Sequence, residues 1–214
     1  MGWQRVPIKS ERGEWVMSWA VRVLVVLLAL ASAPALAQLN RSDGDDFISA
    51  MKDNDSGKAV ELIEKPGSTV VNYRGSDGSS GLHIALRRRS LNWVGYLLGN
   101  DADPNLGDKN GDTPLMIAAR LGFGEGVARL LMARAQVDKP NRLGETPLIV
   151  AAQGRQAAIV RMLLEAGADP DKTDHAAGYS ARDYAKRDAR AADLLRLMDT
   201  VKPAKKSVVG PVRP

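Results

Sequence analysis

The side chains that could support catalysis or metal binding are few in this chain and lie far apart. His83 and His175 are the only histidines, and the absence of cysteine excludes thiol catalysis and cysteine-based zinc sites. Asp43, Asp45 and Asp46 could attract a cation, but they lack the spacing of a calcium loop. We expect this acidic trio to stabilise the positive N-terminal end of a helix instead. The sequence therefore predicts no catalytic residue, no metal site and no cofactor.

The elements that must position these side chains repeat every 33 residues. Ser80, Thr113 and Thr146 are separated by that interval, and each opens a related block: SGLHIA, TPLMIA and TPLIVA. Threonine is a good N-cap, and Pro114 and Pro147 follow at the first helical position, where the missing N–H costs nothing. A fixed period of this length is typical of a solenoid, in which small units stack and bury a continuous core.

Each unit is predicted to contain a second, amphipathic helix. Val94, Val127 and Val160 keep the 33-residue interval, and each is followed by apolar residues three and four positions later, which is the buried stripe of a helix. The segments 101–105 and 166–171 are rich in the Asp and Pro residues of turns. Glycines mark the tips of the connecting turns and keep the same period: Gly78, Gly111 and Gly144.

These blocks, the Val-x-x-Leu-Leu helices and the Gly-Ala-Asp-Pro turn resemble ankyrin repeats, most closely from Gly78 to Asp171. The resemblance implies an all-α, ankyrin-like solenoid of about five helix-turn-helix repeats, joined by short β-turn or hairpin connections. The repeat domain is expected over residues 43–200. Its predicted units are a capping repeat at 43–77, three repeats at 78–110, 111–143 and 144–177, and a capping repeat at 178–200 with one extra residue in its turn.

The resemblance also assigns roles to the two histidines. His83 stands at the family's Thr-Pro-Leu-His position, where the ring hydrogen-bonds turn backbone, and His175 is expected to be exposed in the last turn. The family usually has glycine after the first helix, as at Gly122. Arg89 and Arg155 take that place in two other units, so we expect these two loops to be locally irregular.

The N-terminal 37 residues have the parts of a secretory signal peptide. Arg22 precedes 15 uncharged residues, and the segment ends in Ala35-Leu36-Ala37. A membrane anchor is the alternative, but a spanning helix needs about 20 apolar residues. We therefore expect Met17 to be the true start, cleavage before Gln38, a short mature segment at 38–42, and a periplasmic or secreted protein without membrane contact after cleavage.

The charge of the chain is concentrated in its ends. Residues 38–200 hold 22 basic and 23 acidic side chains, whereas residues 201–214 are basic and rich in proline. This tail is predicted to be disordered. A nucleic-acid binder should carry its positive charge on the folded body, so we expect no nucleic-acid partner. We also expect a monomer.

The function that these observations favour is non-catalytic binding of a protein partner. Ankyrin-like stacks bind through a concave groove and its turn tips. Arg87, Arg88, Arg89 and Arg120 are predicted to form a positive patch there, unless they only keep the solenoid soluble. The candidate partner-binding residues are Arg87, Arg88, Lys109, Asn110, Arg120, Arg142 and Leu143. A membrane-tethered scaffold and an accessory factor for an exported enzyme are the alternatives.

Overall fold

The computed structural model of this chain describes residues 43–202, and the account below concerns those residues. The predicted signal peptide at 1–37, the start at Met17, the segment 38–42 and all but the first two residues of the basic tail lie outside the described part.

Ten α-helices follow one another in pairs along the described chain. Residues 43–53 form α1, and the other helices are α2 (Ser56–Glu64), α3 (Gly81–Arg87), α4 (Leu91–Gly99), α5 (Pro114–Arg120), α6 (Gly124–Met132), α7 (Pro147–Gln153), α8 (Ala157–Glu165), α9 (Ala181–Arg187) and α10 (Ala192–Thr200). Short 3₁₀ turns lie at Val70–Asn72 and Ala189–Ala191. Between residues 43 and 202 there is no strand, only an isolated antiparallel bridge between Thr173 and Ser180. The predicted all-α class is confirmed.

The helices begin where the sequence predicts. Thr113 Oγ1 accepts a hydrogen bond from the Met116 amide at 3.3 Å, and Thr146 caps α7 in the same way. Each of these caps is followed by a proline at the start of the helix, whose missing N–H would have had no partner there. The threonine spacing therefore sets the register of the first helices.

The helices stack in two rows that enclose one apolar core. α3, α5, α7 and α9 pack on one another in sequence, α4, α6, α8 and α10 form the second row, and the two helices of each pair also touch. The core is built from the predicted valine and leucine stripe, with Val94, Val127, Val160, Leu97, Leu130 and Leu163 fully buried. Each unit therefore buries its apolar face only against its neighbours.

The loops at Arg89 and Arg155 are regular, contrary to expectation. Both residues have positive φ, 53° and 52°, close to the 65° of Gly122. The bonds are equivalent too: the Arg89 amide donates to the Leu86 carbonyl at 2.9 Å, and the Arg155 amide donates to the Ala152 carbonyl at 3.0 Å. The stack imposes the left-handed turn, and the arginines bear its steric cost.

The last connecting turn contains the predicted extra residue. The Asp108 amide donates to the carbonyl of Asp112, four residues on, whereas the Asp174 amide donates to that of Tyr179, five residues on.

Over residues 43–202, no helix is long and apolar enough to cross a membrane.

Candidate functional site

The tips of the connecting turns are tied to one another by backbone hydrogen bonds. The Lys109 amide donates to the Asp77 carbonyl at 3.2 Å, and the Arg142 amide donates to the Asn110 carbonyl at 3.0 Å. The His175 amide continues the series to the Leu143 carbonyl at 2.7 Å. We call tip face the surface made by the tips 76–77, 109–110, 142–143 and 175–176 together with the last-turn side chains Arg87, Arg120, Gln153 and Arg187.

Each of the last three turns is held in shape by one buried side chain, whereas the first turn has Gly75 at the equivalent position. Asp108 Oδ1 accepts from the Asn110 and Asp112 amides at 2.8 and 3.1 Å. Asn141 does the same one unit later, and Asp174 two units later. These three residues follow one another at intervals of 33, so the sequence itself carries the signal of their shared role. The tips are consequently pre-organised rather than free loops.

Two of the predicted arginines are anchored to buried acids. Arg87 donates to Ser79 Oγ at 2.7 Å and to Asp108 Oδ2 at 3.2 Å, and Arg120 donates to Asp112 Oδ2 at 2.6 Å. The side chains of Arg87 and Arg120 are 42% and 44% exposed, whereas those of Asp108 and Asp112 are 6% and 7% exposed. The guanidinium groups therefore cover their own counter-ions.

The other two arginines are also exposed but have hydrogen-bonding partners away from the turn tips, and the positive patch stays a prediction. Arg88 donates to the carbonyl of Lys52 in α1. Arg89 donates to the carbonyl of Leu121 and lies 5.9 Å from the Phe123 ring centroid. Arg88 thus links its unit to α1, and Arg89 links its unit to the end of α5.

Asp112 is the centre of the polar network beneath the tip face. Burial alone would raise the pKa of this carboxyl group, but hydrogen bonds from Arg120 and Asn141 offset that effect, and the pKa lies below its usual 3.8. The same ion pair raises the pKa of Arg120. Asp112 is therefore charged at neutral pH, and Arg120 and Asn141 both stabilise that charge.

The four candidate residues at the tips are brought together and exposed. Lys109 and Asn110 lie beside Arg142 and Leu143, joined by the backbone bond between Asn110 and Arg142. Leu143 is 55% exposed, and Met132, on the second row of helices, is the other large apolar side chain of residues 43–202 that is so exposed. An apolar side chain on a polar, rigid tip has the properties of a binding anchor.

An aromatic group closes the tip face at its C-terminal end, and the sequence analysis missed it. The Tyr184 hydroxyl donates to Asp174 Oδ2 at 2.6 Å, and the rings of Tyr179 and Tyr184 meet edge to face at 5.7 Å. Arg187 lies over the Tyr179 ring, 4.7 Å from its centroid. These contacts order the side chains of the last unit.

The second row carries another feature outside the candidate residues. A surface depression of about 400 Å³ lies between α2 and α4. Its lining combines the perpendicular rings of Trp93 and Tyr96, 5.5 Å apart, with Val60 and the polar side chains of Asn54, Ser56, Ser90 and Asn92.

His83 has the structural role that the resemblance implies. Its Nδ1 accepts from the Ser80 amide at 3.2 Å, so Nε2 carries the proton and donates to the Asp112 carbonyl at 3.0 Å. The ring is fully buried and bridges two units. Burial lowers the pKa of His83 from 6.5, and the bond to Asp112 offsets this only in part. His175 is exposed, as expected.

The lowered pKa of His83 predicts that acid weakens the fold. Below pH 6.5 His83 binds a proton in the unfolded chain but not in the folded one, where the ring is buried. The contribution of neutral His83 to stability is therefore fully present above pH 6.5 and is lost as the pH falls towards the folded-state pKa. We expect the free energy of unfolding to fall between pH 6.5 and 5.5, by at most about 1 kcal/mol. Urea titrations of His83→Gln should lose this slope and those of His175→Gln should keep it. An unchanged slope in His83→Gln would contradict the assignment.

The acidic trio lies in the first described turn of α1, where carboxylates favour a helix N-terminus. Its members have separate partners: Lys65 for Asp43, Tyr73 for Asp45 and Lys58 for Asp46. Within residues 43–202, no three acidic, His or Cys side chains are grouped so that they could hold a metal ion.

The comparison with known protein families agrees with this architecture. A family model described as "Ankyrin repeats (3 copies)" matches the chain over residues 47–141 and again over 82–174. The two matches together span α1 to the start of the last turn, which is more than half of the chain.

Proposed function

Because this chain belongs to the ankyrin-repeat family, whose repeats indicate a protein–protein interaction module, we propose that it is an exported, non-catalytic binding protein that holds a protein partner on its tip face. Three parts of this proposal go beyond membership of the family: the exported location, the binding face and the absence of catalysis.

The observation that carries the proposal is the exposure of Leu143 on a fixed tip. The Leu143 carbonyl accepts the His175 amide and the Leu143 amide donates to Asn141 Oδ1, so its backbone is held on both sides. The side chain is nevertheless 55% exposed beside Arg142. A partner that buries this leucine gains apolar contact area without having to order a loop.

Export is supported by the sequence of residues 1–37, with its basic flank, short apolar stretch and Ala-x-Ala end. A cysteine-free domain of stacked repeats does not need disulfides in an oxidising compartment. The alternatives remain a membrane-tethered scaffold with an uncleaved N-terminus and an accessory factor that supports an exported enzyme. Sequencing of the mature N-terminus separates cleavage from tethering, since a start at Gln38 would end the tethering alternative.

The binding face is tested by site-specific photo-crosslinking in intact cells. A photoreactive side chain at position 143 is expected to give a discrete crosslinked product with a partner protein, because Leu143 lies inside the proposed interface. The matched control is position 132, since Met132 is 70% exposed but lies at the end of α6 in the second row. With the photoreactive side chain placed instead at position 110 on the adjacent tip, the product should be lost in Leu143→Asp and retained in Met132→Asp. Equal crosslinking from both positions would contradict the tip face as the interface.

A further inference from the structure

We propose that the tip face binds an acidic, extended segment of the partner protein, with carboxylates on Arg87 and Arg120 and an apolar side chain on Leu143. This inference rests on the proposed function and names the chemistry of the partner.

The first support is that Arg87 and Arg120 expose positive charge while their negative partners are buried. Their carboxylate partners, Asp108 and Asp112, are almost completely buried, while the two guanidinium groups are nearly half exposed. A guanidinium has five N–H donors. Arg87 uses donors on two acceptors and Arg120 on one within the described residues. A ligand therefore meets fixed cations whose remaining donors lie in a planar fork that suits a carboxylate.

The second support is that exposed cations outnumber exposed acids on this part of the tip face. Lys109 and Arg142 are exposed, and neither side chain has a hydrogen-bonding or ion-pair partner among residues 43–202. The acids nearby, Asp77 and Glu145, keep their charge, because the groups that donate hydrogen bonds to them are uncharged. Asp77 accepts from the Ser79 amide at 3.0 Å, and Glu145 accepts from Asn141 at 2.9 Å. The four exposed cations of Arg87, Lys109, Arg120 and Arg142 outnumber these two carboxylates at the surface, because the counter-ions Asp108 and Asp112 are buried, and this excess favours an acidic ligand.

The third support is the spacing, which also fixes the order of the ligand's side chains. α3 and α5 are neighbours in the first row, and packed helices lie about 8–10 Å apart. An extended chain in the polyproline II conformation advances about 3.1 Å per residue with three residues per turn, so side chains three residues apart lie on one face about 9 Å apart and match equivalent points one unit apart. One unit further, Glu145 disfavours a third carboxylate and Leu143 offers an apolar contact. The expected pattern is acidic, acidic and apolar at positions i, i+3 and i+6.

The pattern is tested with short fluorescent peptides and the purified protein. The peptide GESGESGLSG has the expected spacing, GEESSGGLSG has the same composition with adjacent acids, and GQSGQSGLSG lacks charge. We expect the first to bind about tenfold more tightly than the uncharged peptide, the sum of two partly exposed ion pairs, and about threefold more tightly than the adjacent-acid peptide. Its advantage should disappear when the salt is raised from about 20 mM to about 500 mM. Equal affinity for the acidic and uncharged peptides would overturn the inference.

Charge reversal on the face provides the second arm. Lys109→Glu with Arg142→Glu should abolish the preference for the acidic peptide without breaking a described ion pair. Arg129→Glu with Arg161→Glu changes the net charge equally but acts on α6 and α8 of the second row, and should leave the preference intact. Equal effects of the two pairs would overturn a local site. If the peptides show no charge preference while crosslinking at 143 persists, the acidic partner is wrong and the proposed function stands. If crosslinking also fails, the proposed function is wrong.

Discussion

Leu130→Ala is expected to lower the free energy of unfolding by about 2–5 kcal/mol, the largest effect of any change considered for this protein. Leu130 is completely buried in α6, which packs against α4, α5 and α8. Removing its side chain leaves a cavity in the core that these helices share. Urea unfolding followed by circular dichroism measures the loss, and Met132→Ala in the same helix serves as the control, with a change below about 0.5 kcal/mol.

The position of Leu130 in a linear stack makes a second consequence measurable. Each unit contacts only its neighbours, so a weakened interface in the middle allows the two ends of the stack to unfold independently of each other. Hydrogen exchange should show α5 and α6 opening more readily than α9 and α10 in the variant. A Leu130→Ala protein as stable as the Met132→Ala control would show that α6 does not join the two halves of the core.

The period of the sequence predicts helix starts because one local bond sets each of them. Thr113 and Thr146 need only an amide three residues later. Gly81 stands where these units have proline, and the reason is not local. A Cβ atom on Gly81 would lie 2.7 Å from the Phe47 ring. In the first interface the Phe47 side chain therefore occupies the space that proline occupies in the other units.

The candidate site was less predictable, because its electrostatics depend on which carboxylates are buried. Arg87 and Arg120 look alike in sequence to Arg88 and Arg89, but only the first two reach buried carboxylates across a turn. Sequence spacing alone does not show which acids are buried. The regular loop at Arg89 has the same cause, since packing of the neighbouring units overrides the local preference for glycine.

Arg120→Met is expected to cost about 1.5–3 kcal/mol at pH 7, although Arg120 is nearly half exposed. Methionine preserves much of the apolar stem, so most of the loss comes from Asp112, which stays buried and keeps Asn141 as its remaining side-chain partner. A charge reversal such as Arg120→Glu would add a second carboxylate beside Asp112. Lost binding in that variant could not be separated from lost folding, which is why the binding tests use Lys109 and Arg142.

The pH dependence tests whether the loss of stability in Arg120→Met comes from the buried Asp112 carboxylate, which has lost its cationic partner. In the wild type the lowered pKa of Asp112 means that this group stabilises the fold above pH 3.8, and the contribution fades as the pH falls through the folded-state pKa. Without Arg120, burial should raise that pKa above 3.8, so protonation relieves the variant on mild acidification. The stability difference from wild type should therefore shrink between pH 7 and about pH 4. Arg120→Met with Asp112→Asn should recover part of the loss at pH 7, because no buried charge remains. A defect that is constant with pH and unchanged in the double variant would instead assign the role of Arg120 to packing of its stem.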